Sequence, residues 1–183
     1  MNVATHEVDP TLMRRAMGQF ATGVTVVTAV TTDGTPVGCT VNAFSSLSLD
    51  PPLVLVCIGT DRRMHEVLSS APGYVVNVLA DHQQRQALRF ARSGEDRFGD
   101  VDVTPGRHGI PLLTGAIAHV QCDRYDLVPG GDHTIVVGAV RELQVHDGQP
   151  LLYAQGAFLH LPRDDWHTAL ETAPQEWLLS APW

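Results

Sequence analysis

Short aliphatic and β-branched runs, separated by turn residues and only occasionally by a helical segment, constrain this chain more than any other feature. GVTVVTAVTTDGTPVGCTVNAF reads as two strands, residues 23–31 and 35–43, joined at Asp33-Gly34, a dipeptide that accepts the positive φ values of a tight hairpin. A third strand follows Pro51-Pro52 and is apolar at nearly every position, which predicts burial of both its faces. GYVVNVLA is a fourth, and AIAHVQCDRYDLV, HTIVVGAVRELQV and PLLYAQGAFLHL are three more, with turns at Pro129-Gly130-Gly131-Asp132 and Asp147-Gly148. The predicted helices are short: residues 11–20 behind Asp9-Pro10, with Leu12, Ala16 and Phe20 on one face, then 62–69 and 83–91. Residues 93–112 mix charges, glycines and prolines and read as a long surface loop. Six or seven strands at hairpin spacing predict a mainly β fold, a closed or nearly closed barrel with short peripheral helices.

The length of 183 residues suits one domain spanning 1–183 with one substantial core. A net charge of −8 and the lack of any basic cluster exclude a general nucleic-acid binder. All twelve cationic side chains are arginine, so an anion must be held by arginine, hydroxyls or backbone N–H groups. Cys39, Cys57 and Cys122 match no disulfide or zinc spacing and sit in apolar runs; reduced thiols in a cytoplasmic protein are the expectation. The N-terminus lacks a hydrophobic signal core and no run reaches membrane-span length. No dinucleotide fingerprint, phosphate loop, nucleophile elbow or metalloprotease motif is present, and the nine histidines show no metal-ligand spacing, so no metal is expected.

What remains is a polar seam. Thr40 and Asn42 share one strand face by the two-residue period, and Ser45, Ser46 and Ser48 follow where that strand ends. The seam is either a hydroxyl-rich loop or the rim of a site for a planar polar ligand. Arg62 and Arg63 fall in the first turn of a helix that Thr60 or Asp61 would cap. Cations there oppose the helix dipole, so they are either solvated or offset by a bound anion. His133 stands at the mouth of an apolar strand after Gly130, Gly131 and Asp132. It is either the first residue after a turn or a polar group presented to a ligand.

Five stretches in this order, FATGVTVVTA, GCTVNAFSSLSLDPPLVLVCI, GYVVNVLA, PLLTGAIAHVQCD and GGDHTIVVGAV, resemble the short-chain flavin reductases, the reductase components of two-component flavin monooxygenases. The likeness runs from about Leu12 to Leu161. It implies an FMN-binding split β-barrel, a homodimer, FMN or FAD with NADH as cofactors, and a separate monooxygenase that receives reduced flavin. It further implies that Thr40, Val41, Asn42 and Ala43 border the isoalloxazine ring and that Ser46, Leu47 and Ser48 meet the ribityl chain and phosphate. Cys57, Ile58 and Gly59 would lie beneath the flavin, Arg62 or Arg63 near its phosphate, and His133, with Gly131 and Asp132, would face the nicotinamide. Two departures stand out: Ala43 occupies a position where many relatives have serine, and no lysine is available for the phosphate.

With the hydride chemistry supplied by cofactors, the protein needs only to stack two rings and stabilise developing charge, which accounts for the lack of a nucleophile or general base. His133 is expected to position the nicotinamide, and Asp132 to fix the turn by accepting backbone N–H bonds. Near that turn Arg124 is the one cation in sequence among Asp123, Asp126 and Asp132, a balance that favours NADH over NADPH. Trp166, Trp177 and Trp183 make the tail after residue 162 apolar, which places it at a dimer interface or on its own barrel. Two other readings share the barrel: an enzyme that retains its flavin and acts on an organic substrate, and a non-catalytic flavin-binding protein.

Overall fold

The computed structural model describes residues 8–92, 94 and 97–162; the three tail tryptophans lie outside them. In chain order the elements are helix α1 (Pro10–Met17), strands β1 (Thr22–Gly23), β2 (Thr25–Val30), β3 (Pro36–Val41), β4 (Phe44–Leu49) and β5 (Pro52–Gly59), and helix α2 (Arg63–Ser70). Strand β6 (Gly73–Val78), helix α3 (Gln84–Ala91), the short strands β7 (Val103–Pro105) and β8 (Pro111–Leu113), and the long strands β9 (Ala118–Gly130) and β10 (His133–Val145) follow. A last hairpin pairs β11 (Leu152–Ala154) with β12 (Ala157–Leu159). Among the described residues no helix is long and apolar enough to cross a membrane.

Seven strands form one antiparallel sheet in the order β3-β2-β6-β9-β10-β5-β4. Its two edges, β3 and β4, are consecutive in sequence and separated only by Asn42 and Ala43. Such a link spans at most about 11 Å, so the sheet must curl until its edges meet. The result is a split β-barrel whose seam runs between β3 and β4. The backbone binds itself at the seam: Cys57 N donates to Ala43 O (3.0 Å) and Phe44 N to Asn42 O (2.9 Å).

Strand β2 shows why its sequence is so uniformly apolar. Val27 and Ala29 point into the barrel interior with Val56, Tyr74 and Val136, while Val24 and Val26 pack outward beneath Ala87, Phe90 and Leu151. The interior is closed at one end by Met64, Val67 and Leu68 of α2, all buried. Strand β3 divides the same way: Val37, Cys39 and Val41 pack against the interior cluster, leaving Gly38 and Thr40 on the outer face beside α3. A Cβ at Gly38 would lie 2.7 Å from the Phe90 ring, so only glycine permits this contact. Asn77, fully buried, has each of its side-chain polar atoms paired. Asn77 Nδ2 donates to Val26 O (2.9 Å) and Thr28 Oγ1 (3.1 Å), and its Oδ1 accepts from Leu113 N (2.8 Å).

Several elements differ from the sequence expectation. Residues 44–49 are a strand, not a loop. Pairing with β5 satisfies the backbone of a serine-rich segment that has weak strand propensity, and a register shift at Leu47 interrupts the ladder between Ser46 and Ser48. The expected surface loop at 93–112 contains most of the β7–β8 hairpin, whose Leu112 and Leu113 are buried. PLLYAQGAFLHL is a hairpin instead of one strand, because Gln155 and Gly156 take φ of 51° and 83°. Helix α1 ends at Met17 and buries none of its residues, and Phe20 falls beyond it, exposed. Strand β5 alternates buried with half-buried side chains and does not bury both faces fully.

Candidate functional site

The first step toward a site is register. His133 pairs with Gly59, Thr134 with Ile58 and Ile135 with Cys57, and directly opposed residues in a ladder share a face. Ile58 is buried in the barrel, so Thr134 points inward; there its Oγ1 lies 2.9 Å from Nε2 of His65 on α2. His133, Gly59 and Cys57 therefore lie on the outer face, next to Ala43 at the seam. The bare backbone of Gly59 keeps this corner open. A Cβ there would meet Asp61 Oδ1 at 2.9 Å, Arg62 Cγ at 3.4 Å and His133 Nε2 at 3.8 Å.

Three contacts hold the corner. Thr60 uses both its N–H (3.0 Å) and its Oγ1 (3.1 Å) to donate to Asp132 O, pinning the β9–β10 turn to the end of β5. Gly131 supplies the positive φ of 76° that the turn requires. His133 Nδ1 lies 2.7 Å from Asp132 Oδ1; with a carboxylate as acceptor, Nδ1 carries the proton and Nε2 is the free atom. That bond from the imidazole is the main cause holding the Asp132 carboxyl below its usual range. The expectation that Asp132 chiefly accepts backbone N–H bonds is thus corrected: its principal partner is the neighbouring ring.

The helix cap also differs from expectation. Neither Thr60 nor Asp61 caps α2: the helix starts at Arg63, Arg62 takes the cap position without a side-chain bond, and Asp61 Oδ1 sits 3.3 Å from Arg62 Nε. Arg62 is paired on the His133 side. Arg63 instead lines a separate cleft of about 370 Å³, whose other walls are residues 35–38, Gly94, Arg97 and Phe98.

The structure does not gather the whole polar seam. Val41 is buried in the barrel and Ala43 is exposed. Asn42 is exposed and its amide makes no hydrogen bond among the described residues. Thr40 Oγ1 donates to Ala87 O on α3 (2.6 Å), so it can only accept from a ligand. Ser46 pairs with Val54 and Ser48 with Leu53, placing Ser46, Leu47 and Ser48 along β5 from the corner. Gly59 lies five positions beyond Val54, about 17 Å at strand rise. Asn42, Ala43, Cys57, Gly59, Asp132 and His133 form one group; the serines form another.

Sequence reasoning missed Thr60 as a brace and Arg97 as a residue lining the cleft beside Arg63. Thr60 had a signal, since it follows the strand end, but its role needs the cross-strand neighbour. Arg97 lies in a segment whose composition signals only a loop. Arg124, the lone cation near the turn in sequence, donates through Nη1 to the α2 carbonyls Leu68 O (3.0 Å) and Ser69 O, a favourable place for a cation. Asp123 is equally occupied, by Arg107 (2.8 Å), His108 (3.0 Å) and Arg141 (2.8 Å).

An open corner with an exposed amide, bare backbone and an oriented imidazole fits a flat, polar, ring-shaped ligand. Comparison with known proteins points the same way. The family model described as "Flavin reductase like domain" matches residues 17–162. A Rhizobium meliloti (strain 1021) protein described as "Probable flavin reductase" is 43% identical over 150 residues, 82% of this chain and 48% of that protein; the chain spans about half the length of that relative. The reductase subunit HsaB of a flavin-dependent monooxygenase from Rhodococcus jostii (strain RHA1) is 37% identical, over 96% of this chain and 87% of the subunit. Among solved structures, the Streptomyces globisporus C-1027 NADH:FAD oxidoreductase SgcE6, in complex with NAD and FAD fragments, superposes with a TM-score of 0.81 at 41% identity, covering 87% of this chain and 99% of that one. With a family model spanning most of its length and relatives this similar, the chain belongs to the flavin reductase-like family.

Proposed function

We propose that the protein is an NADH-dependent flavin reductase that reduces FMN or FAD and passes the reduced flavin to a separate monooxygenase. The observation that carries this reading is the outer-face corner where His133 stands across the ladder from Gly59 beside the barrel seam. The bound flavin supplies a two-electron acceptor for the hydride of NADH. Asn42 and the backbone of Ala43 and Cys57 would hold the ring edge, and the open space at Gly59 would let it lie against the strand end. His133, oriented through Nδ1 by Asp132, presents Nε2 to the nicotinamide, and Thr60 keeps the turn that carries both residues fixed to β5. Positioning two rings is the main demand on the protein, and an aligned pair needs no nucleophile from it.

The similarity to a monooxygenase reductase subunit supports transfer of reduced flavin over its retention. The measurement is steady-state NADH oxidation with excess free FMN or FAD. Turnover of free flavin in molar excess over enzyme is expected. A flavin that survives dialysis, together with no turnover of added flavin, would overturn the reading in favour of a flavin-retaining enzyme.

A second copy of the chain is part of the same proposal. Leu143 and Val145, near one end of β10, are 64% and 81% exposed, apolar side chains that a second copy would cover. Sedimentation at micromolar concentration is expected to give a dimer of the 19.8 kDa chain; a monomer would reject it. The three free thiols suit a reducing, cytoplasmic setting.

A further inference from the structure

We propose that His65 is a positioning residue for hydride transfer, acting through Thr134 to hold the strand end that presents His133. The inference rests on the flavin reductase reading above and adds to it a residue of α2 on the opposite side of β10 from His133.

The turn that carries His133 has little support from the sheet. Strand β6 pairs with β9 only over residues 118–123, and Arg124 N donates to Pro72 O (3.0 Å) just beyond. From Tyr125 to Gly130, β9 has β10 on one side and no strand on the other among the described residues. Tyr125 and Val128 are exposed there. Backbone with few buried contacts and one-sided pairing opens more easily than backbone inside a sheet. The position of the turn therefore depends on what grips it from the β5 side.

Side chains from outside the hairpin grip residues 132–134 at two points. Thr60 Oγ1 donates to Asp132 O (3.1 Å) from the end of β5. His65 Nε2 lies 2.9 Å from Thr134 Oγ1, from α2. His133 stands between the two, so its backbone is fixed on either side. Thr134 lies opposite the core residue Ile58. A hydroxyl facing inward is unfavourable unless it is hydrogen-bonded, and valine would fill the same space without that need. His65 supplies the partner, and it does so from a helix that is itself fixed: Met64, Val67 and Leu68 are buried in the barrel, and Arg124 ties the far end of α2 to β9 through Leu68 O and Ser69 O. Consecutive Cα atoms are about 3.8 Å apart, so a shift at Thr134 passes directly to His133. In a near-attack arrangement a misplacement of about 1 Å can cost about a hundredfold in rate. Asp132 sets the rotation of the imidazole, and the His65–Thr134 pair sets where the strand beneath it ends.

The test uses His65→Leu and Thr134→Val, which remove the bond, and His65→Gln and Thr134→Ser, which retain a hydrogen-bonding group at similar reach. Each is made alone and together with His133→Ala. Stopped-flow reduction of the flavin-loaded protein over a range of NADH gives kcat/KM for NADH, and flavin titration reports that each variant is folded. His65→Leu and Thr134→Val are each expected to lower kcat/KM for NADH about three- to tenfold with flavin affinity unchanged. Glutamine and serine should restore most of it. Combined with His133→Ala, none of the four should lower the rate by more than about twofold further, because residues acting through one group are not additive. A loss that persists in full without the His133 ring would overturn the proposal, since the pair would then act on the barrel at large. So would unchanged kinetics in the folded variants, a parallel weakening of flavin, or no difference between leucine and glutamine. If His65→Leu fails to fold, the comparison of Thr134→Val with Thr134→Ser decides the question. An unmodified chain that does not reduce flavin with NADH would instead overturn the flavin reductase reading, and the role of His65 with it.

Discussion

His133 Nδ1 lies 2.7 Å from Asp132 Oδ1, a hydrogen bond between sequence neighbours that leaves Nε2 on the side of Gly59. Adjacent side chains in a regular strand point to opposite faces. Here the contact exists because Asp132 still belongs to the turn, held by Thr60 through its carbonyl while its carboxylate swings to the ring. Orientation of the imidazole is therefore built into the turn and not into the barrel.

If that orientation serves the reaction, His133→Ala should lower kcat/KM for NADH ten- to a hundred-fold, about 1.4–2.8 kcal/mol of positioning, while flavin affinity is kept. Asp132→Asn should lose about tenfold on its own, and the double variant little more than His133→Ala, since two residues acting as a unit are not additive. Stopped-flow reduction of the flavin-loaded variants measures both. Fully additive losses would separate the two residues, and an unchanged rate would leave His133 as a turn residue.

Much of the barrel was legible because its signals are local. Asp33-Gly34 and the Pro129–Asp132 turn announce hairpins, and β2, β9 and β10 carry the β-branched residues that strands favour. Strand β4 was not legible, because serines carry a strand only when a partner such as β5 supplies the ladder. The site divides along the same line. Asn42, Gly59 and His133 stand out by type and by their place at strand ends. The separation of Ser46 and Ser48 from Arg62 and Arg63 depends on register across β5, which one sequence does not display. Arg97 depends on where a charged loop folds back, for which no periodicity exists.

Packing at Gly138 offers a test of the core away from the chemistry. A Cβ at this position would collide with the Tyr74 hydroxyl and lie 2.8 Å from Cys122 Cβ. Tyr74 is fully buried and donates to Val136 O (3.3 Å), so it has no room to retreat. Gly138→Ala should destabilise the fold by about 1–3 kcal/mol, lowering Tm by about 2–4 °C per kcal/mol for a chain of this size. Thermal unfolding followed by circular dichroism is the measurement, and an unchanged Tm would show that β10 can shift at its irregular register there.

The Asp123 cluster predicts an acid limb. Hydrogen bonds from Arg107 first, then from His108 and Arg141, hold its carboxyl well below the usual carboxylate range. In the unfolded chain an aspartate titrates near about 3.9. A depressed folded-state value means that the cluster's stabilisation is complete above that pH and is lost as pH falls below it through the folded value. Asp123→Asn should lower stability at pH 7 and flatten the decline between about pH 4 and 2 relative to the unmodified chain. Denaturant unfolding at a series of pH values decides it; parallel declines would remove Asp123 as the source.

Donor preference follows from which cations are already committed. NADPH carries an extra phosphate of about two negative charges, and recognition of it needs arginine or lysine free to pair. Arg124 is tied to the carbonyls at the end of α2, while Arg107 and Arg141 are held by Asp123. The β9–β10 hairpin contributes Asp126 and Asp132, both exposed. Arg62, which like His133 borders Gly59, is paired with Asp61. A phosphate at this corner would meet more negative than available positive charge, so kcat/KM for NADH should exceed that for NADPH by at least about tenfold, or 1.4 kcal/mol. Raising the salt concentration should narrow the gap by screening the repulsion. Initial rates with both donors at two ionic strengths measure it. An equal or higher kcat/KM for NADPH would mean that an arginine outside this group reaches the nucleotide, and Arg14 of α1, whose charge acts on Asp132, is the first to replace by glutamine.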